Sequence, residues 1–491
     1  MSYTPFFTTD GKLDDASKAD VEAMLQRLSR ADNPKLMLFV HGGLVNTMAG
    51  WMSASEFAGR MAPLQREGWE IGSPIWRSGL GETIRINQDE LAQESLFVRI
   101  VLRLIEWLDR KLGLGVVDRA FIDNGDVNAA ITALNAAPQP EAEAVEVRLG
   151  SSEGELERAQ NVEALSDQHL ENTDLAQMLL DDSEFVAAVI PGLSMIDADV
   201  RERVDAARVF GMARSRHPVG VSAPAAYAVS LSVVRAGYRV LKRLVQDRDH
   251  GLGPTIVEEV IGALYLDQVG AAAWKLMKDD ARQHFDAGGA GRLVFRTLAE
   301  IARTGKLVRL ITVGHSAGSV FAAAQADYAA EAPANLTMDN IFLAPAVRID
   351  EASEKLGSGR ADGLRIFTMD DAHERANHLD GTIFGKIYQR SLLYLISGVL
   401  ERGTRSRYTD APLVGLQRHL MPKYRPTREE RRELDAFKGW LGATNDGLIY
   451  SPSPTENGPG RRAFASVHGG FWRDDAVVES ILWIARNGFN G

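Results

Sequence analysis

Cysteine is absent from all 491 residues, which removes disulfide scaffolds, thiolate zinc or iron–sulfur centres and a cysteine nucleophile together. Long apolar runs are absent too. None approaches the ~18 residues that cross a bilayer, and the opening MSYTPFFTTDGKLDDAS lacks the basic-then-apolar layout of a signal peptide. The expectation is a soluble, cytoplasmic protein with no transmembrane segment. An excess of positive charge is also missing: 55 Lys and Arg stand against 66 Asp and Glu, a formal charge of −11. Sequence-independent nucleic-acid binding depends on neutralising phosphates with Lys and Arg, so no nucleic-acid partner is expected and small or neutral substrates are. What remains is a globular composition, 45% hydrophobic, long enough for roughly two to four domains or one large domain with an insertion.

Short apolar runs alternate with helical patterns. Residues 35–40 (KLMLFV) read as a strand buried on both faces that runs into His41-Gly42-Gly43. Residues 51–65 have helical spacing, and 69–76 (WEIGSPIW) read as another strand despite an internal Gly and Pro. A stronger unit begins at Leu307, where LVRLITV leads through Gly314 into a small-residue helix over 317–330. Residues 340–345 and 364–369 supply further strands, 462–467 a last one, and 474–485 a closing helix. Such alternation defines an α/β fold, a mainly parallel sheet with helices on both faces.

Between these blocks the pattern changes to long amphipathic helices. The chain is accordingly divided into a first part of the core (1–77), a helical cap insertion (78–290) and a second part of the core with a C-terminal elaboration (291–491). Within the insertion, the acid-rich stretch 123–182 is expected to be a mobile loop or weakly ordered connection. Helical spacing is clear over 97–112 and 225–245. In the second, Leu231, Val234, Tyr238, Leu241 and Val245 recur on one face while Arg235, Arg239, Lys242 and Arg243 take other positions. Such a basic amphipathic helix leaves peripheral contact with a membrane surface open; the plainer reading is a cap helix with one buried and one solvated face.

Gly314-His315-Ser316-Ala317-Gly318 fits the G-x-S-x-G turn, in which a strand runs sharply into a helix and lifts a serine hydroxyl above the sheet. Gly150-Ser151-Ser152-Glu153-Gly154 has the same spacing, and context separates the two. Ser316 follows a buried strand and precedes Ala317, Gly318, Ala322, Ala323 and Ala324, which let a helix lie close to a sheet. Ser152 follows the half-charged EAVEVRL, and Glu153 beside it would oppose an oxyanion. Ser316 is therefore the candidate nucleophile.

A serine hydroxyl needs a base, and its tetrahedral intermediate needs donors. His41-Gly42-Gly43-Leu44 ends the first strand, where the N–H of Gly43 or Leu44 can face that of Ala317 to form an oxyanion hole. His468, in SVHGGF just beyond the last expected strand, is the candidate base, whereas His315 adjoins Ser316 but points elsewhere from a strained turn. A carboxylate should orient the imidazole. The strand over 364–369 runs into Asp370-Asp371; alternation favours Asp371, Asp370 is the alternative, and helix capping is the structural role open to both.

Placed in this order, Ser…Asp…His with HGG after an early strand and GHSAG at the turn, these residues make the sequence resemble the α/β-hydrolase superfamily. The resemblance covers about residues 30–77 and 290–491. It implies an eight-stranded, mainly parallel sheet with acyl-transfer chemistry beyond the strand ends. The insertion precedes the nucleophile strand, whereas many members carry their main lid after it, and 388–459 form a further elaboration. The resulting expectation is a lipase-like serine hydrolase that cleaves a small-molecule or lipid acyl ester through an acyl-enzyme on Ser316. Thioester or amide cleavage and acyl transfer share that chemistry. No cofactor or metal is called for; His373 and His378 are five apart and no H-E-x-x-H helix occurs. Trp76, Arg77 and Trp472 are candidates to line the pocket. The rival expectation is a non-catalytic scaffold of the same fold whose insertion binds a protein partner or a membrane surface. Oligomeric state stays open.

Overall fold

In the computed structural model, the strands are β1 (Tyr3–Thr9), β2 (Lys12–Leu13), β3 (Lys35–Val40), β4 (Trp69–Trp76), β5 (Val308–His315), β6 (Leu336–Leu343), β7 (Gly363–Met369) and β8 (Leu448–Ser451). They form one sheet in the order β2-β1-β4-β3-β5-β6-β7-β8. Only the β1–β2 pair is antiparallel. The described residues are 3–43, 46–76, 80–152, 154–214, 222–267, 269–379, 382–403, 410–443 and 447–489. The expected mixed α/β architecture with a mostly parallel sheet is what the chain adopts.

The central strands are covered on both faces, and strand alternation sorts their side chains between two layers. Met37, Phe39, Ile311, Val313 and Ile341 pack against Ala54 and Phe57 of the helix Thr47–Arg60 and against Val477 and Ile481 of the helix Asp475–Asn487. Leu36, Leu38, Leu310 and Met338 face the other way, onto Met24 and Leu28 of the helix Asp15–Arg30 and Val294 and Leu298 of the helix Ala290–Arg303. Pairing of β4 with β3 ends at Gly72, before Pro74, while its pairing with β1 continues to Trp76.

Two strand expectations are corrected. β1, with alternating burial in YTPFFTT, adds a strand between β2 and β4 that the sequence pattern does not announce. The last strand is β8, LIYS, and not 462–467. That stretch runs irregularly beside it, with Ser453 N–H bonded to Ala463 O and Ser451 Oγ–H to Ala465 O.

The insertion builds its own apolar core. Phe97, Ile100, Leu104 and Trp107 of the helix Ser95–Leu112 meet Val229, Val233, Tyr238 and Leu241 of the helix Ser222–Val245 and Ile256 and Val260 of the helix Leu252–Leu264. The expected acidic loop over 123–182 is corrected: short helices fill it. Ala142–Gly150 buries Ala142, Val145 and Leu149, and Asp174–Asp181 buries Leu175, Ala176 and Leu179. Apolar residues at helical spacing outweigh the acids, and Asp182 is bound by Arg99 and Arg103 of the neighbouring helix, each at 2.6 Å. The arginines of Ser222–Val245 are likewise used internally. Arg235 pairs with Asp167 and Arg239 with Glu163, while Arg243 is buried. No helix among the described residues is long and apolar enough to cross a membrane.

Charge also joins the cap to the C-terminal elaboration. Arg243 lies 2.7 Å from Glu258 and 3.0 Å from Glu259, Arg402 bonds Glu259, His250 bridges Glu258 (2.7 Å) and Asp410 (3.0 Å), and His419 meets Asp410 at 2.9 Å. All are buried.

Candidate active site

The turn from β5 into the helix Gly318–Tyr328 holds Ser316 at φ +51°, a left-handed conformation unusual for a residue with a side chain. Its glycines are required by close backbone approach. A Cβ at Gly314 would lie 2.6 Å from the Gly318 carbonyl oxygen, and one at Gly318 would strike the Val40 carbonyl. The turn is tied at both sides. Ser316 N–H donates to Leu343 O (2.9 Å), and Ser316 O accepts from Ser319 Oγ (2.6 Å) and from the N–H of Ala346 (3.1 Å). Ser152, by contrast, is exposed beyond the end of the helix Ala142–Gly150, with no strand before it.

The HGG segment at the end of β3 lies against this turn. A Cβ at Gly42 would be 3.4 Å from Ser316 Cβ. His41 donates from Nδ1 to Gly42 O at 2.6 Å, and its ring packs edge-on to Trp76 (4.9 Å) and against Gly50. Because the peptide is planar and trans, a Gly42 carbonyl turned toward His41 sends the Gly43 N–H the opposite way. Burial, opposed by that hydrogen bond, brings His41 down to about 4, so the ring is neutral. Leu44 and Arg77 lie outside the described residues.

His468 sits in a tight turn, His468–Gly470, between the irregular chain after β8 and the helix Asp475–Asn487. Its ring is 5.1 Å from that of His315, next to Ser316. Burial, with His315 nearby, holds it well below the ordinary histidine value, so the ring is neutral. Both its ring nitrogens lack a hydrogen-bond partner among the described residues.

The structure does not bring either aspartate to His468. Asp370 caps the helix Asp371–Ala376, accepting from His373 N–H and pairing with His373 Nδ1, both at 2.8 Å. Asp371 accepts from Tyr394 Oη at 2.5 Å, with Arg375 at 3.7 Å. Burial alone would raise the Asp371 carboxyl, but these partners keep it below its usual range. The capping role thus claims Asp370, and the C-terminal elaboration claims Asp371.

Residues that sequence reasoning passed over complete the site. Met277, on the cap helix Ala271–Gln283, occupies the space a side chain at Gly43 would take. Ala317 is fully buried in the apolar cluster that includes Met277 and Trp274. Glu401 anchors this helix through Trp274 Nε1 (2.7 Å) and Lys278 Nζ (2.5 Å) and also meets Arg348 (3.1 Å). The site is closed: Ser316 is 3% and His468 8% exposed. The His315 ring has Nε2 3.0 Å from the His468 carbonyl oxygen and the Trp472 ring at 4.5 Å. Trp76 is buried against His41. A groove of about 680 Å³ lined by Tyr3, Asp20, Arg27, Trp69 and Glu70 lies at the opposite ends of the strands. It is too far from Ser316 to share its chemistry.

No protein-family model, curated protein or solved structure matches this chain.

Proposed function

We propose that the protein is a serine hydrolase of the α/β-hydrolase type that cleaves a carboxylic ester through an acyl-enzyme on Ser316. His468 takes the hydroxyl proton as Ser316 attacks the acyl carbonyl and returns it to the departing alkoxide; a water, deprotonated by the same imidazole, then releases the acid. The N–H groups of Ala317 and of the Gly43–Leu44 segment are the proposed oxyanion donors. Asp371 and Asp370, the sequence candidates for orienting the base, have other partners, so the reading rests on Ser316 and His468. The observation that carries it is the strained φ of Ser316 at a strand-to-helix turn whose two glycines have no room for a side chain, with the neutral, buried His468 packed against the adjoining His315 and not hydrogen-bonded to Ser316. Thioester or amide substrates use the same steps.

The test is intact mass after exposure to a fluorophosphonate, with wild type, Ser316→Ala and Ser152→Ala compared, followed by turnover of short and long p-nitrophenyl esters. One adduct, lost only in Ser316→Ala, is expected. No adduct on folded wild type would sink the proposal. The second reading, a non-catalytic scaffold that works through its insertion, is favoured by the closed site and by the engagement of both aspartates elsewhere. Under it, Ser316→Ala would leave the protein's function unchanged.

A further inference from the structure

Resting on the hydrolase reading, we propose that His315 is a positioning residue: its Nε2–H holds the carbonyl of His468 and so fixes the loop carrying the base against the nucleophile turn. A carbonyl oxygen only accepts, so the 3.0 Å contact places the proton of His315 on Nε2. Burial brings this histidine down to about 4, which leaves that tautomer neutral at ordinary pH. The ring fits a slot. Trp472 packs edge-on at 4.5 Å, the His468 ring lies at 5.1 Å, and a Cβ at Gly42 would come within 3.0 Å of Nδ1.

Three further observations give the contact its weight. His315 is covalently next to Ser316, so one side chain couples the position of the nucleophile to that of the base. No carboxylate does this work, since both ring nitrogens of His468 lack partners among the described residues. Of the other side-chain ties near the loop, Ser451 Oγ–H holds the Ala465 carbonyl and Asp474 holds the Phe464 N–H, both short of the base, and the pairs Arg473 to Glu56 and Arg60 to Asp475 lie on the solvent side, where ion pairs hold little. The hydrogen bond is buried, and it reaches the backbone of the base itself.

The experiment measures the inactivation rate constant and the apparent affinity for a fluorophosphonate on the full chain, comparing wild type, Ser316→Ala, His315→Leu and His315→Gln. Leu fills the slot without a donor, whereas Gln can return an N–H near the Nε2 position. The expected result is a rate on the order of 10²-fold lower in His315→Leu with affinity little changed, and recovery to within about tenfold of wild type in His315→Gln. If His315→Leu does not fold, His315→Asn, whose donor falls short, replaces it against Gln. Wild-type rates in the variant without the donor, with Ser316→Ala unlabelled, would overturn the positioning role and leave the hydrolase reading standing. Equal losses in both His315 variants would assign the effect to ring packing and likewise overturn it. A wild type that forms no adduct would remove the hydrolase reading and this inference with it.

Discussion

Two buried polar regions lie within this molecule, and they are finished differently. At the junction of cap and C-terminal elaboration, Arg243, His250, Glu258, Glu259, Asp410, Arg402 and His419 each have an oppositely charged or hydrogen-bonding side chain within 3.1 Å, although Arg243 Nη2, Glu258 Oε2 and Asp410 Oδ2 lack a hydrogen bond among the described residues. Around Ser316, His468 Nδ1 and Nε2, His41 Nε2, Trp76 Nε1 and Trp472 Nε1 have no hydrogen-bond partner among the described residues. Burying a polar group without a partner costs about 1–3 kcal/mol. At the junction opposite charges lie close enough to offset part of that cost, and this region reads as a fastener; beside His468 no such charge is found among the described residues.

The sharpest way to break this comparison is to disable each region in turn. Ser316→Ala should lower ester turnover by at least about 10³-fold while leaving the thermal midpoint in place, as read by stopped assays and calorimetry. Asp410→Ala should do the reverse first. It leaves His250, His419 and Arg248 facing an unbalanced site, and removal of one partner of a buried pair costs about 3–5 kcal/mol. Equal effects of the two substitutions on stability would erase the distinction.

Acid should separate Glu258 of the junction from His315 of the candidate site by pH window. Burial alone would raise the Glu258 carboxyl, but His250 and Arg243 outweigh it and bring it to about 2. A carboxylate depressed on folding stabilises above its unfolded value near 4.5 and loses that contribution as pH falls toward 2. His315, lowered by burial from 6.5 to about 4, is protonated first in the unfolded chain, so its contribution disappears as pH falls from 6.5 to 4. Wild type should therefore lose on the order of 3 kcal/mol relative to His315→Gln in the upper window and relative to Glu258→Gln in the lower one. Melting curves at stepped pH read both, and a single shared window would be the contrary result.

A smaller effect tests how tightly the cap closes the unpaired region. Gly43→Ala puts a methyl group where Met277 sits and should cost about 1–3 kcal/mol. Met277→Ala in the same chain should return most of it, giving a coupling measurable by a double-mutant cycle. Smallest of all, Asp370→Asn and Asp371→Asn should each change labelling of Ser316 by less than about tenfold, against the roughly 10⁴-fold loss when an orienting aspartate is replaced in a Ser-His-Asp triad.

Much of the core was legible because strands buried on both faces read as continuous apolar runs: KLMLFV, VRLITV and LRIFTM announce themselves. Strands toward the two ends of the sheet carry less signal. β1 alternates and contains Pro5, and β8 has four residues, while FAS in 463–466 imitates a strand more convincingly than LIYS is one. The acid-rich part of the cap misled for a different reason: its charge is conspicuous, whereas the helical spacing of Val145, Leu149, Leu175 and Leu179 is sparse. Within the candidate site, the assignments of Ser316 and His468 rest on their places in the chain. The direction of His315 and the partners of Asp371 depend on Trp472, Tyr394 and Gly42, tertiary neighbours that no local pattern encodes.

The membership of Ala317 in the apolar cluster of the cap has a consequence for modularity. A lid that merely rests on an enzyme can be trimmed away in evolution or in the laboratory, leaving a smaller working unit. Here the residue after Ser316 is part of the packing of the covering helices, so losing them would bring Ala317, Ala346 and Leu393 into contact with water and loosen the turn that strains Ser316. Insertion and core would then be inherited together, with changes in one answered by changes in the other.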